Sequence, residues 1–186
     1  MHSILDIEFA PLLDRRREIP RVARWWCDEW GLPARHSSFE EYVQELEGLR
    51  PDALPFHLIA ERAGRTLGVA TLKMKVGHPV VAGDSYWLTG VYVEPSFRGQ
   101  GTATALCQKM VEAARAHAIE RLYLQTEHPG GGLYAHLGWT LVQAYQEGGV
   151  DQVVMVKNLA PHGTERGGTT RRWSGGASLA AYRQYR

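Results

Sequence analysis

Apolar and charged residues alternate through Ile4-Leu5-Asp6-Ile7-Glu8-Phe9, the period of a half-buried strand, and Pro11 follows as a break. Over residues 16–30 the period lengthens: Ile19, Val22, Trp25 or Trp26, and Trp30 recur at three- and four-residue steps, and Gly31 ends the run. That spacing predicts an amphipathic helix, with Pro20 near its start or kinking it. Ser38-Phe39-Glu40-Glu41 has the form of a capping box, and a second helical stripe of Phe39, Tyr42, Val43, Leu46 and Leu49 follows before Pro51.

Two strand-like runs, residues 56–61 and 67–74, are joined by a short connection containing Gly64 and read as a hairpin. After Gly83-Asp84, residues 86–93 form a further strand, stopped by Pro95. Residues 101–117 carry apolar positions at helical spacing, and Leu122-Tyr123-Leu124-Gln125-Thr126 follows as a strand. Strand, Gly-rich turn, helix and strand make one parallel crossover, and the sheet grows by sequential strands. A short helix over residues 133–137 precedes Gly138, and residues 141–144 with 150–156 predict a last hairpin around Gly148-Gly149. The expected class is α/β, of the α+β kind.

A chain of 186 residues suits one domain. Its expected limits are 1–160; residues 161–186 form a Gly/Arg-rich tail, read as a flexible extension, with Arg166, Arg171, Arg172, Arg183 and Arg186 against the acid Glu165. Basic and acidic side chains number 21 and 20, so the formal charge of +1 offers no global field for nucleic acid or an acidic membrane. Cys27 and Cys107 are not spaced as a metal knuckle or a redox pair and read as reduced thiols, so no metal is expected. No apolar run reaches the roughly eighteen residues of a membrane span, and Met1-His2-Ser3-Ile4-Leu5-Asp6 lacks the pattern of a leader. A cytoplasmic protein without a membrane partner is expected, with a homodimer as a candidate assembly.

The chemistry concentrates at Arg98-Gly99-Gln100-Gly101-Thr102-Ala103, between a strand and a helix. Small residues let backbone N–H groups approach a ligand closely, at a helix start where those groups have no internal partner. The helix dipole points the same way, so the site favours an anion such as a phosphate or pyrophosphate. A plain connection between strand and helix is the competing reading. The turn follows a fourth strand, unlike the dinucleotide fingerprint, and no Lys-Ser or Lys-Thr pair follows its glycines, unlike the phosphate loop of nucleotide hydrolases.

Taken with Val91-Tyr92-Val93-Glu94-Pro95 before it and Leu133-Tyr134-Ala135-His136-Leu137-Gly138-Trp139 after it, the turn resembles the GNAT superfamily of acyl-CoA-dependent N-acyltransferases. Arg98, Gly101 and Ala103 match that family's Arg/Gln-x-x-Gly-x-Gly/Ala signature, and Tyr134 to Trp139 its Tyr-x-x-x-Gly-Phe/Trp element. The likeness covers residues 4 to 159. It implies an open mixed sheet of six or seven strands with about four flanking helices, and acetyl-CoA as cosubstrate.

The resemblance assigns the coenzyme pyrophosphate to Arg98, Gly99, Gln100, Gly101, Thr102, Ala103 and Thr104, and its pantetheine arm to Val91, Tyr92 and Val93. The Val93 amide would polarise the thioester carbonyl. Tyr134 matches the tyrosine that protonates the departing thiolate in many relatives, or it packs the short helix. Many relatives place a glutamate where this chain has Gln125, which cannot accept a proton; Glu94, Glu127 and His128 are the candidate bases. Glu94 also reads as a solvated residue, and His128 as a loop residue. The loop of residues 127–132 lacks an asparagine that relatives often set against the coenzyme. The first helices usually wall the acceptor pocket, which makes Trp25, Trp26, Glu29 and Trp30 candidates for gripping an amine, although tryptophan at helical spacing is more often core.

The expected activity is acetyl transfer from acetyl-CoA to a primary amine of a small molecule or a peptide N-terminus. The alternatives are an acyl-CoA-binding sensor with little turnover, suggested by Gln125, and an enzyme acting on charged transfer RNA, suggested only by the basic tail.

Overall fold

The computed structural model describes residues 6–159, so Ile4, Leu5 and the tail from residue 161 lie outside the described residues. Its elements are β1 (Glu8–Pro11), α1 (Ile19–Trp30), α2 (Phe39–Glu47), β2 (Phe56–Arg62), β3 (Arg65–Val76), β4 (Asp84–Val93), α3 (Thr102–Ala116), β5 (Arg121–Thr126), α4 (Gly132–His136), β6 (Thr140–Glu147) and β7 (Val150–Asn158). The strands form one sheet in the order β1-β2-β3-β4-β5-β7-β6. All neighbours are antiparallel except β4 and β5, which the α3 crossover joins in parallel.

The first strand begins later than its alternation suggests and takes in Pro11, which pairs opposite Leu58 instead of breaking the strand. An edge strand tolerates proline because one of its two rows of backbone groups faces no partner. Leu12–Glu18 is a 3₁₀ helix leading into α1, and Pro20 sits in the first turn of α1, where a missing N–H removes no helical bond. Ser38 caps α2 as the sequence implies, its Oγ accepting from the Glu41 amide at 3.1 Å. The Glu41 carboxylate turns to the Ser37 amide and hydroxyl, at 2.8 and 2.7 Å, so the return bond of the capping box lands one residue earlier. The strands are not wholly sequential, since β7 inserts between β5 and β6.

Alternation along the strands sends apolar residues to both faces. Leu58, Leu72, Leu88, Leu122 and Leu124 meet Leu106 and Met110 of α3 on one side. Ile59 and Val69 meet Ile19, Val22 and Trp26 of α1 and Leu46 of α2 on the other. Gly90 shifts this alternation. Thr71 lies opposite Thr89 but Val69 opposite Tyr92, so β4 bulges by one residue there. Leu88, Val91 and Val93 consequently all reach the α3 side, while Tyr92 faces α1.

Candidate functional site

The parallel strands β4 and β5 pair only at Tyr86 with Leu122 and Trp87 with Tyr123, then diverge. A cleft of about 630 Å³ opens at the split, bounded by Thr89 and Gly90 of β4, Gln125 and Thr126 of β5, Trp26 of α1 and Tyr134 of α4. The bulge at Gly90 shapes its floor. Gly90 has φ 57°, its carbonyl accepts from Trp26 Nε1 at 3.1 Å, and a Cβ there would stand 3.2 Å from that nitrogen and 3.3 Å from Thr71 Oγ1. Only glycine suits this left-handed position without crowding the tryptophan.

The end of β4 presents free backbone to the cleft side. The Glu94 amide donates to the Leu67 carbonyl at 2.9 Å, toward β3. Strand amides alternate in direction, so the Val93 amide points to the opposite edge, from which β5 has departed. Arg98 Nε ties back to the Val93 carbonyl at 2.9 Å. The Gly-rich turn follows, with Gly99 at φ 72° and Gly101 at φ 83° as the N-cap of α3. The amides of Thr102, Ala103 and Thr104 occupy the first helical turn, where no helical acceptor exists. Thr102 Oγ1 is buried without a partner, and so are Nε and one terminal nitrogen of Arg62, whose other nitrogen donates to Gln100 Oε1 at 3.1 Å. Unfilled donors around two left-handed glycines fit an anionic group such as a pyrophosphate.

Tyr134 lines the cleft from α4, its ring edge-on to Trp139 at 6.3 Å. Burial, with the Cys107 sulfur as a smaller influence, pushes its phenol pKa well above the ordinary tyrosine value, so the hydroxyl is a proton donor at neutral pH. Glu127 and His128 also line the cleft, exposed on the loop before α4, whereas Glu94 lies outside the lining beside the 3₁₀ turn of Pro95–Phe97. The tryptophans divide. Trp26, Trp30 and Glu29 line the cleft, while Trp25 stacks on Tyr92 at 5.2 Å outside it. Tyr92 is further enclosed by the edge of Trp30 at 6.5 Å and the Arg98 guanidinium at 5.5 Å.

Sequence reading passed over His57, Arg62, Lys73 and Lys75, which the sheet brings to the site. His57, Thr71, Lys73 and Lys75 line one wall, at the odd positions of neighbouring antiparallel strands. The signal was available as Thr71, Lys73 and Lys75 at alternate positions of one strand, but only the pairing register shows that His57 shares their face. His57 is 8% exposed, its Nδ1 lies 2.8 Å from Thr71 Oγ1, and burial first, then the positive charge of Lys73, lowers its pKa from 6.5 to about 4. Below pH 6.5 the unfolded imidazole takes up a proton that the folded one refuses until about pH 4. Stability from this group is therefore complete above that window and falls through it, by about 3 kcal/mol. Urea denaturation between pH 7 and pH 4 should show this slope in the wild type and lose it in His57→Gln; an equal slope in both would contradict it.

Cys107 is buried, which raises its thiol pKa to about 12 and leaves it unreactive. Among the described residues no three His, Cys, Asp or Glu side chains group to hold a metal ion, and no helix is long and apolar enough to cross a membrane.

Fold and cleft together define a mixed α/β domain whose sheet opens between two parallel strands, with a Gly-rich turn and its free helix-start amides after the first of them. The model of the Acetyltransferase (GNAT) family matches residues 19–139, and the chain belongs to that family. Comparison with curated proteins finds no match. Among solved structures, the ribosomal-protein-alanine N-acetyltransferase of Brucella melitensis is 22% identical with a TM-score of 0.60, covering 82% of this chain and 99% of its own. A spermidine N-acetyltransferase chimera from Vibrio cholerae and hSSAT is 14% identical with a TM-score of 0.64, covering 83% and 96%. A Clostridium acetobutylicum protein solved with acetyl-CoA is 18% identical with a TM-score of 0.58, covering 76% and 94%. These likenesses show the seven-stranded, mostly antiparallel open sheet and four helices to be the GNAT fold.

Proposed function

We propose that the protein transfers an acetyl group from acetyl-CoA to a primary amine of a small molecule or a peptide N-terminus. Three observations carry this reading: the donor-rich turn at Gly99 to Thr104, the edge of β4 left without a partner strand before Val93, and Tyr134 on the cleft. The coenzyme supplies an acetyl group activated as a thioester. Gly99, Gln100, Gly101, Thr102, Ala103 and Thr104 hold its pyrophosphate through backbone amides, with Arg62 and Arg98 adding positive charge nearby. The edges of Val91, Tyr92 and Val93 receive the pantetheine arm as an added strand would lie. The Val93 amide stabilises negative charge on the carbonyl oxygen, and the cleft aligns the amine with the carbonyl carbon. As the new C–N bond forms and the C–S bond breaks, Tyr134 gives its proton to sulfur, and Glu127 or His128 takes the proton of the amine directly or through water.

The test is acetyl-CoA-dependent thiol release against a panel of primary amines and short peptides, with products identified by mass. Release with at least one amine, matched by an added acetyl group, is the expected result. Tight coenzyme binding with no release for any amine would replace this reading by that of an acyl-CoA sensor.

A further inference from the structure

Beyond Leu72, the ordinary division of β3 into a buried apolar face and an exposed polar face is inverted. Met74 and Val76 are 44% and 78% exposed, whereas Lys73 and Lys75 turn half-buried into the cleft. Lysine is among the residues least often placed inward, because burial strips water from a strongly hydrated ammonium. Two of them, spaced by about 7 Å along one strand face, do not arise from packing.

The neighbouring charges do not neutralise them. Of the cleft carboxylates, Glu45 is held by Arg35 at 2.6 Å and His36 at 2.7 Å, Glu29 stands 3.8 Å from Arg98, and Glu127 is exposed on its loop. Among the described residues neither lysine forms an ion pair. Lys75 Nζ donates to Gln125 Oε1 at 3.1 Å and lies 4.2 Å from the Trp87 ring, contacts that orient the ammonium and leave its charge intact. Glu147 accepts from the Gln125 amide at 3.1 Å and the Tyr145 hydroxyl at 3.2 Å; its charge favours the Lys75 ammonium in part but forms no ion pair with it. Burial and then Arg35 lower the pKa of Lys73, and burial and then Lys73 lower that of Lys75 to about 8. Beside them His57 is more than nine-tenths buried and neutral, and its Nε2 has no partner. The contact of Nδ1 with the Thr71 hydroxyl holds the ring on the cleft wall that carries both lysines.

We infer that the acceptor amine carries an anionic group, a carboxylate or a phosphate, which Lys73 and Lys75 bind beside His57. This rests on the acetyl-transfer reading for the identity of the acceptor, but the anion site stands on its own geometry. The arrangement selects against polyamines, whose second ammonium would meet two like charges.

Calorimetry with coenzyme A present tests it without needing turnover. The probes are matched pairs of primary amines: glycine and glycinamide, β-alanine and β-alaninamide, O-phosphoethanolamine and ethanolamine. In at least one pair the anionic member is expected to bind about tenfold or more tightly than its neutral partner. The pair that shows the preference distinguishes carboxylate from phosphate. Lys73→Met with Lys75→Met should remove the preference, and Lys73→Arg with Lys75→Arg should restore most of it; coenzyme affinity reports whether each variant is folded. Equal binding within every pair, a preference that survives the double Met substitution, or no binding by any probe overturns the inference. A preference that is intact in a protein with no acetyl transfer would overturn the proposed activity and leave the anion site standing.

Discussion

Gly101→Glu is expected to weaken coenzyme A binding at least about 100-fold, close to 3 kcal/mol of binding free energy. Gly101 stands at φ 83° as the N-cap of α3, so any side chain there adopts a left-handed backbone at a cost of about 1 kcal/mol. The larger effect is electrostatic. The amides of Thr102, Ala103 and Thr104 start the helix immediately after Gly101, and a carboxylate at residue 101 would take them from the pyrophosphate and repel its charge. Gly101→Ala separates the two causes, since it carries the backbone strain without the charge and should lose far less. Calorimetric titration with coenzyme A measures both variants, and thermal unfolding checks that they are folded. Undiminished binding by folded Gly101→Glu would mean that the pyrophosphate lies elsewhere.

Tyr134→Phe is expected to lower turnover by about 10²- to 10³-fold, with coenzyme affinity little changed. Burial raises the phenol pKa, so the hydroxyl is protonated at neutral pH and can donate as charge builds on sulfur. Phenylalanine keeps the edge-on contact with Trp139, so loss of packing cannot account for a fall in rate. Steady-state kinetics together with a coenzyme titration decide the matter. An undiminished kcat would show that water or another group protonates the thiolate, and a matching loss of coenzyme affinity would give Tyr134 a binding role instead.

Much of the fold was legible because its signals are local. The period of three and four residues through Ile19, Val22, one of Trp25 and Trp26, and Trp30, the stop at Gly31 and the cap at Ser38 each depend on residues within a few positions of one another. The same is true of the Gly-rich turn, since the αL conformations of Gly99 and Gly101 and the free amides after them are properties of one short segment. Pro11 misled because a proline ends a strand only if its N–H is needed, and whether β1 is an edge is not written in β1. The bulge at Gly90 was signalled by a glycine inside a strand, yet its consequence, Leu88 and Val91 on the same face, follows from the register against β3.

The lysine-bearing wall of the cleft shows the limit most clearly. In the sequence, Lys73 and Lys75 belong to an unremarked alternation with Met74 and Val76, and nothing local says which pair faces inward. The adjacent Trp25 and Trp26 posed the same question, and the geometry answered it by stacking Trp25 on Tyr92 and turning Trp26 to Gly90. By itself, then, the sequence determined the periods, the caps and the Gly-rich turn with its free amides, because backbone conformation and short-range hydrogen bonds fix those within one segment. Which residues meet across the split of β4 and β5, and what charge lines the cleft there, was decided by strand register and by the divergence of two strands after Trp87. Those depend on the packing of helices onto both faces of the sheet, a property of segments far apart in the chain.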